Sequence, residues 1–105
     1  MQKKIALQIV NYFFIYFLSA NAIDDVYLSN NRLTSISFSL LPWDKINTVK
    51  LDGNPWHCDC GFSWIVSKTE HNLTAIDYDY LTCHSPEDLR DLPIEHLSAG
   101  DFGCS

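Results

Sequence analysis

The side chains best suited to chemistry are four cysteines and the histidines beside them. His57-Cys58-Asp59-Cys60 is followed by Cys83-His84 and by Cys104. Sulfur and imidazole together are zinc ligands, but no C-x-x-C pair occurs and the spacing matches no common finger. A thiol-redox enzyme needs a poised C-x-x-C dithiol, for which Cys58-Asp59-Cys60 is a poor substitute. Carboxylate pairs stand at Asp24/Asp25 and Asp77/Asp79. Acid–base work would need an apolar pocket to raise one pKa of such a pair, and a chain this short has little room for one. Asp77 and Asp79 alternate with Tyr78 and Tyr80, which reads as a solvated edge, extended from Tyr78 to Cys83. No G-x-S-x-G, phosphate loop or nucleophile–base signature is present. The expectation is a protein without catalytic residues, metal or cofactor, whose cysteines serve as staples.

What must position such staples is small. The chain has 105 residues, 13 acidic against 7 basic, and a formal charge of -6. That length allows one domain, and domains of this size often rely on disulfides because they bury little apolar surface. No basic stripe is available to neutralise phosphates, which argues against nucleic acid as a partner.

The first 22 residues locate the protein. Lys3 and Lys4 precede an apolar run from Ile5 to Leu18, and Ala20-Asn21-Ala22 has the small-x-small form of a signal-peptidase site. Residues 1–22 are therefore expected to be a signal peptide, cleaved after Ala22. Gln8 and Asn11 interrupt a stretch already shorter than the ~20 apolar residues of a membrane span. Cleavage removes two lysines and no acid, taking the charge to -8. The product is expected to be secreted, with its thiols paired and no membrane span of its own. Asn72-Leu73-Thr74 is then an N-glycosylation acceptor on a surface loop.

The mature chain repeats itself. Ile23, Val26, Leu28, Asn31 and Leu33 align with Ile46, Val49, Leu51, Asn54 and Trp56, all offset by 23 residues. Both sets follow L-x-x-L-x-L-x-x-N-x-L, within the period of leucine-rich repeats. In each repeat a short strand sends its apolar residues inward and its polar ones outward. The outward sets are Asp25, Tyr27 and Ser29, then Thr48, Lys50 and Asp52. Asn31 and Asn54 fall where the chain leaves the strand, and an amide can donate and accept to the backbone of that bend. Leu33 and Ile36 turn inward on the return path, with Trp43 as an aromatic wedge. Pro55 ends the second repeat and Trp56 covers the open end of its core. Phe62, Ile65, Val66 and Thr69 then follow helical spacing, and Pro86 could open a short helical turn.

Several motifs in this last part belong together. N-P-W-x-C-D-C at Asn54–Cys60 is followed by F-x-W-I at Phe62–Ile65, C-x-x-P-x-x-L-R at Cys83–Arg90, and F-x-C at Phe102–Cys104. The set resembles the cysteine-rich C-terminal cap of extracellular leucine-rich-repeat proteins such as Slit proteins, Toll receptors and the Nogo receptor. It covers nearly all of residues 46–104. A bond between Cys58 and Cys60 would be strained, and the residues alone leave the other two connectivities open. The resemblance implies Cys58–Cys83 and Cys60–Cys104. Departures from the family pattern are Lys68 and Thr69 where a second Trp and an apolar partner are usual, Asp91 where Gly is frequent, and no N-terminal cysteine cap.

The expected fold is α/β, a short leucine-rich-repeat solenoid of parallel strands closed by a disulfide-stapled, mostly helical cap. Residues 1–22 form the signal peptide, 23–53 two partial repeats and 54–105 the cap. The resemblance implies extracellular protein–protein interaction, in a chain that is a truncated piece of a larger receptor or matrix protein. The alternative is a stand-alone disulfide-rich effector or inhibitor. The six outward residues Asp25, Tyr27, Ser29, Thr48, Lys50 and Asp52 form the expected contact face, with Tyr27 as its anchor. The negative charge favours a partner with a basic patch. With only two repeats, the edge at Ile23, Val26 and Leu28 is expected to be bare and to promote self-association.

Overall fold

The computed structural model describes residues 4–6, 25–41, 43–68 and 73–104, the first of these as backbone alone. Four short strands share an alternation of apolar and polar residues: β1 (Lys4–Ala6), β2 (Asp25–Tyr27), β3 (Thr48–Lys50) and β4 (Ile76–Asp77). They pair in parallel, in chain order. Val26 stands opposite Val49 and Tyr27 opposite Lys50, so the 23-residue repeat of the sequence is the register of the sheet. Parallel neighbours require a crossover. Between β2 and β3 it runs through two 3-10 turns, Phe38–Leu40 and Trp43–Lys45.

Val26, Leu28, Val49 and Leu51 are fully buried, as period-2 alternation requires. Ile36, Leu41 and Ile46 pack behind them on the return path. The turn after each strand needs a left-handed residue, and Asn30 (φ 59°) and Gly53 (φ 74°) supply it at equivalent positions. At Gly53 a Cβ would also crowd the Asn30 side chain, which would have to move aside, so the positive φ is the stronger reason for glycine.

The structure corrects several expectations. β1 lies inside the segment read as a leader and pairs with β2, Lys4 opposite Asp25. In the uncleaved chain the edge expected to be bare after cleavage is thus covered, and Val26 and Leu28 have no exposure. Residues 7–24, including the cleavage position and Ile23, lie outside the described residues. Asp25, expected to face outward, is 8% exposed, flanked in register by Lys4 and Thr48. In the cap, the helical spacing becomes a 3-10 helix over Cys60–Val66, with further 3-10 turns at Glu87–Leu89 and Ile94–His96. Phe62 and Ile65 are buried on it, which three residues per turn allows as well as 3.6 does. Tyr78–Cys83 is not extended throughout, because a turn closes from Leu81 N–H to Tyr78 O (3.1 Å) with Tyr80 at φ 61°. Pro86 caps its turn from outside rather than opening it, after a cis peptide bond to Ser85. Thr69 and the acceptor Asn72 lie outside the described residues.

Candidate interaction site

The polar face of the sheet is built row by row across the strands. Tyr27, Lys50 and Asp77 are register neighbours on β2, β3 and β4. Lys50 Nζ sits 3.5 Å from Asp77 Oδ2 and 5.9 Å from the centre of the Tyr27 ring. One strand residue further, Ser29 Oγ donates to Asp52 Oδ1 at 2.6 Å. Thr48 is half-buried opposite Asp25. The sheet thus gathers Tyr27, Ser29, Thr48, Lys50 and Asp52 on one face, with Asp25 on the same face but largely covered. An exposed pair such as Lys50–Asp77 adds ~0–1 kcal/mol. Its consequence is positional, since it holds the ammonium between an aromatic ring and a carboxylate. Sequence reasoning missed Asp77 as a member of this face. The signal was the dipeptide Ile76-Asp77, which repeats the apolar–polar step of Val26-Tyr27 and Val49-Lys50.

Beneath this face the bends are held by side chains. Asn54, 7% exposed, accepts from Asn31 N–H (3.0 Å) and Leu33 N–H (3.2 Å) through Oδ1. Its Nδ2 donates to Leu28 O and Leu51 O, both at 2.9 Å. Asn31 Nδ2 donates to Leu28 O at 2.9 Å. Trp56 is fully buried and donates through Nε1 to Leu51 O at 2.8 Å, while Pro55 precedes it half-buried. A chain of rings carries the core from repeat to cap. Phe38 stacks on Trp43 (5.8 Å), Trp43 meets Trp64 (5.5 Å), Trp64 meets Phe62 edge-on (5.5 Å), and Phe62 stacks on Trp56 (4.9 Å). The cap is closed by Cys58–Cys83 and Cys60–Cys104, with Cα atoms 5.8 and 5.0 Å apart. Loops of 25 and 44 residues closed in this way stabilise by about 3–4 kcal/mol each in the chain-entropy account.

With parallel strands, asparagine bends and a two-disulfide cap in place, the similarities of the chain are informative. No protein-family model matches it. Mouse trophoblast glycoprotein is 31% identical over 91 residues, covering 84% of this chain and 21% of that protein. Human chondroadherin is 31% identical over 83 residues, covering 79% and 22%. The crystal structure of human trophoblast glycoprotein superposes with a TM-score of 0.74 at 26% identity, covering 96% of this chain and 39% of the other. All of these are leucine-rich-repeat proteins. The chain belongs to the leucine-rich-repeat proteins. It is extracellular like its relatives, and it spans about a fifth of the length of the curated ones. The mouse RP105/MD-1 complex offers a further match, with a TM-score of 0.70 at 26% identity over 90% of this chain and 16% of that one.

One cluster in this leucine-rich-repeat chain carries the residue types of a hydrolase. His57 Nδ1 lies 2.6 Å from Ser85 Oγ, and His57 Nε2 lies 3.5 Å from Asp59 Oδ2. Acyl transfer also needs N–H groups aimed at the developing oxyanion. Beside Ser85 these are occupied or absent: Ser85 N–H donates to Trp56 O, Cys58 N–H donates to Ser85 O, and Pro86 has none. The trio instead ties the two ends of the first disulfide loop together. All four cysteine sulfurs are consumed in bridges, and no group of metal-ligating side chains occurs among the described residues.

Proposed function

We propose that the chain is two repeats and a C-terminal cap of an extracellular leucine-rich-repeat protein, and that its strand face binds a protein partner. The observation that carries this is the Tyr27–Lys50–Asp77 row, one side chain from each of three neighbouring strands, held out of the core by their register. Ser29, Thr48 and Asp52 flank it, and Asp25 adds a carboxylate in the row of Thr48. Tyr27 is the anchor, since a rigid aromatic ring loses little entropy on contact. The partner presents a basic patch, attracted by Asp52, Asp77 and the charge of -8 that remains after cleavage at Ala22. RP105, whose structure is similar, is found in complex with the protein MD-1. In this account residues 1–22 are a leader, 23–53 the repeats, 54–105 the cap, and Asn72 carries a glycan.

The pairing of β1 with β2 favours a second account, in which the chain is a stand-alone disulfide-rich effector whose sheet edge is already covered. One experiment serves both. The secreted product is immobilised against an array of extracellular ectodomains, beside a Tyr27→Ala/Lys50→Ala variant with the same disulfides. Loss of a bound ectodomain by tenfold or more in the variant is expected, as for a hot spot of ~1.4–2 kcal/mol. Undiminished binding would move the contact off the strand face.

A further inference from the structure

We infer that Tyr80 is a sulfation site. The turn Tyr78-Asp79-Tyr80-Leu81 is anchored at both ends: Tyr78 Oη donates to Ile65 O at 2.6 Å, and Leu81 is 1% exposed. Between them Asp79 N–H donates to Asp77 Oδ1 at 2.9 Å. Tyr80 occupies the third turn position at φ 61°, where glycine or asparagine is usual and a bulky residue rare. The result is a ring 88% exposed at the tip of a held turn. The other described tyrosines differ. Tyr27 is half-buried within β2, near Lys50, and the Tyr78 hydroxyl is engaged.

The sequence around Tyr80 is acidic, most closely on its N-terminal side. Asp79 precedes it directly, Asp77 lies three residues before, and Glu87 and Asp88 follow; residues 69–89 contain no lysine or arginine. An enzyme that handles an anionic sulfate donor needs a basic groove, and such a groove is attracted to acidic flanks. The donor class is a nucleotide phosphosulfate, met in the secretory pathway that an extracellular chain traverses. The phenolic oxygen forms a bond to sulfur as the bond from sulfur to the phosphate oxygen breaks. The nucleotide bisphosphate leaves, and the phenolic proton passes to a base of the transferase. No oxidation occurs. The product is an aryl sulfate with a fixed negative charge, beside Asp77 at the β4 end of the sheet face, and it strengthens that face toward basic groups.

The test uses the full chain expressed in mammalian secretory cells, with the protein in the medium digested and weighed. The expected result is a mass increase of one SO3 on the peptide holding Tyr80, labile to acid and resistant to phosphatase. Chlorate in the medium and Tyr80→Phe abolish it, Tyr27→Phe leaves it, and Asp79→Asn lowers the modified fraction severalfold. An unmodified Tyr80 in secreted, disulfide-bonded protein overturns the inference, as does a phosphatase-labile adduct or an adduct on another residue. A chain that never reaches the medium, disulfides unformed, overturns the extracellular assignment and the inference with it.

Discussion

Tyr78 and Tyr80 are two residues apart and have opposite fates. Tyr80 stands in water, while the ring of Tyr78 is half-buried 4.2 Å from Lys68 Nζ and its hydroxyl donates to Ile65 O. That hydrogen bond exists only while the phenol keeps its proton. Burial raises the pKa of Tyr78 well above its ordinary value of 10.0, and the nearby Glu95 carboxylate adds to the rise. The folded state therefore keeps a proton that the unfolded chain releases near pH 10. Stability from this group is complete below that pH and is lost as pH rises beyond it, because there the unfolded state binds fewer protons. Urea unfolding followed from neutral pH upward should show the wild-type midpoint falling above pH ~10 more steeply than that of Tyr78→Phe. At neutral pH the variant should be less stable by about 1 kcal/mol, the net value of one hydrogen bond. Parallel curves for the two proteins would mean that the phenol is not coupled to folding.

Elements in this protein are too short to stand alone, and several are held by a side chain from elsewhere in the chain. Asn54 is the plainest case. Replacing it with Ala would strand the N–H groups of Asn31 and Leu33 and remove a donor from Leu28 O and Leu51 O. A loss of ~3 kcal/mol is expected in denaturant unfolding. Asp in its place should do no better, since a carboxylate keeps the acceptor but opposes both carbonyls. A loss below ~1 kcal/mol for both would show that water replaces the amide. The strands β2 and β3 were legible because their period is local: Val26 and Leu28 recur as Val49 and Leu51, and register follows from the offset. β4 was not, since its two residues pair with β3 across 27 positions without the preceding leucine pattern. The cap shows the same divide. Its cysteines and tryptophans identify it, yet Phe62 and Ile65 suit a 3-10 or an α-helix equally, and only packing decides. Asp77-Tyr78-Asp79-Tyr80 reads as a strand by alternation, but anchoring of Tyr78 and Leu81 on either side turns it into a bend. Asp77 was lost from the expected interaction face for that reason, and Asp25, on the same side of β2 as Tyr27, is 8% exposed, which alternation alone does not reveal. Asp91, where the family often has Gly, adopts φ 66° and donates its N–H to Cys83 O, so the turn is kept at the strain of a left-handed aspartate.

At the scale of the molecule, everything turns on what lies along β2. With β1 present, the sheet runs β1-β2-β3-β4 and the hydrogen-bonding groups of β2 have a strand on each side. With residues 1–22 removed, β2 becomes the edge, offering unpaired backbone groups at Asp25–Tyr27. Two such edges related by a two-fold axis meet antiparallel, so the product would be a closed dimer rather than a fibre. Three residues of strand bury little, and a weak, concentration-dependent association follows. Sedimentation of the chain beginning at Ile23 should show a monomer–dimer equilibrium shifting with concentration. The unprocessed chain, refolded with both disulfides, should stay monomeric over the same range. Adding back a peptide of residues 1–10 should dissociate the dimer by restoring β1, which a dimer formed through the Tyr27–Lys50–Asp77 face would not do. A processed chain that is monomeric at every concentration would mean that the bared edge is satisfied by solvent alone, and that contact with other molecules rests on the polar face of the sheet.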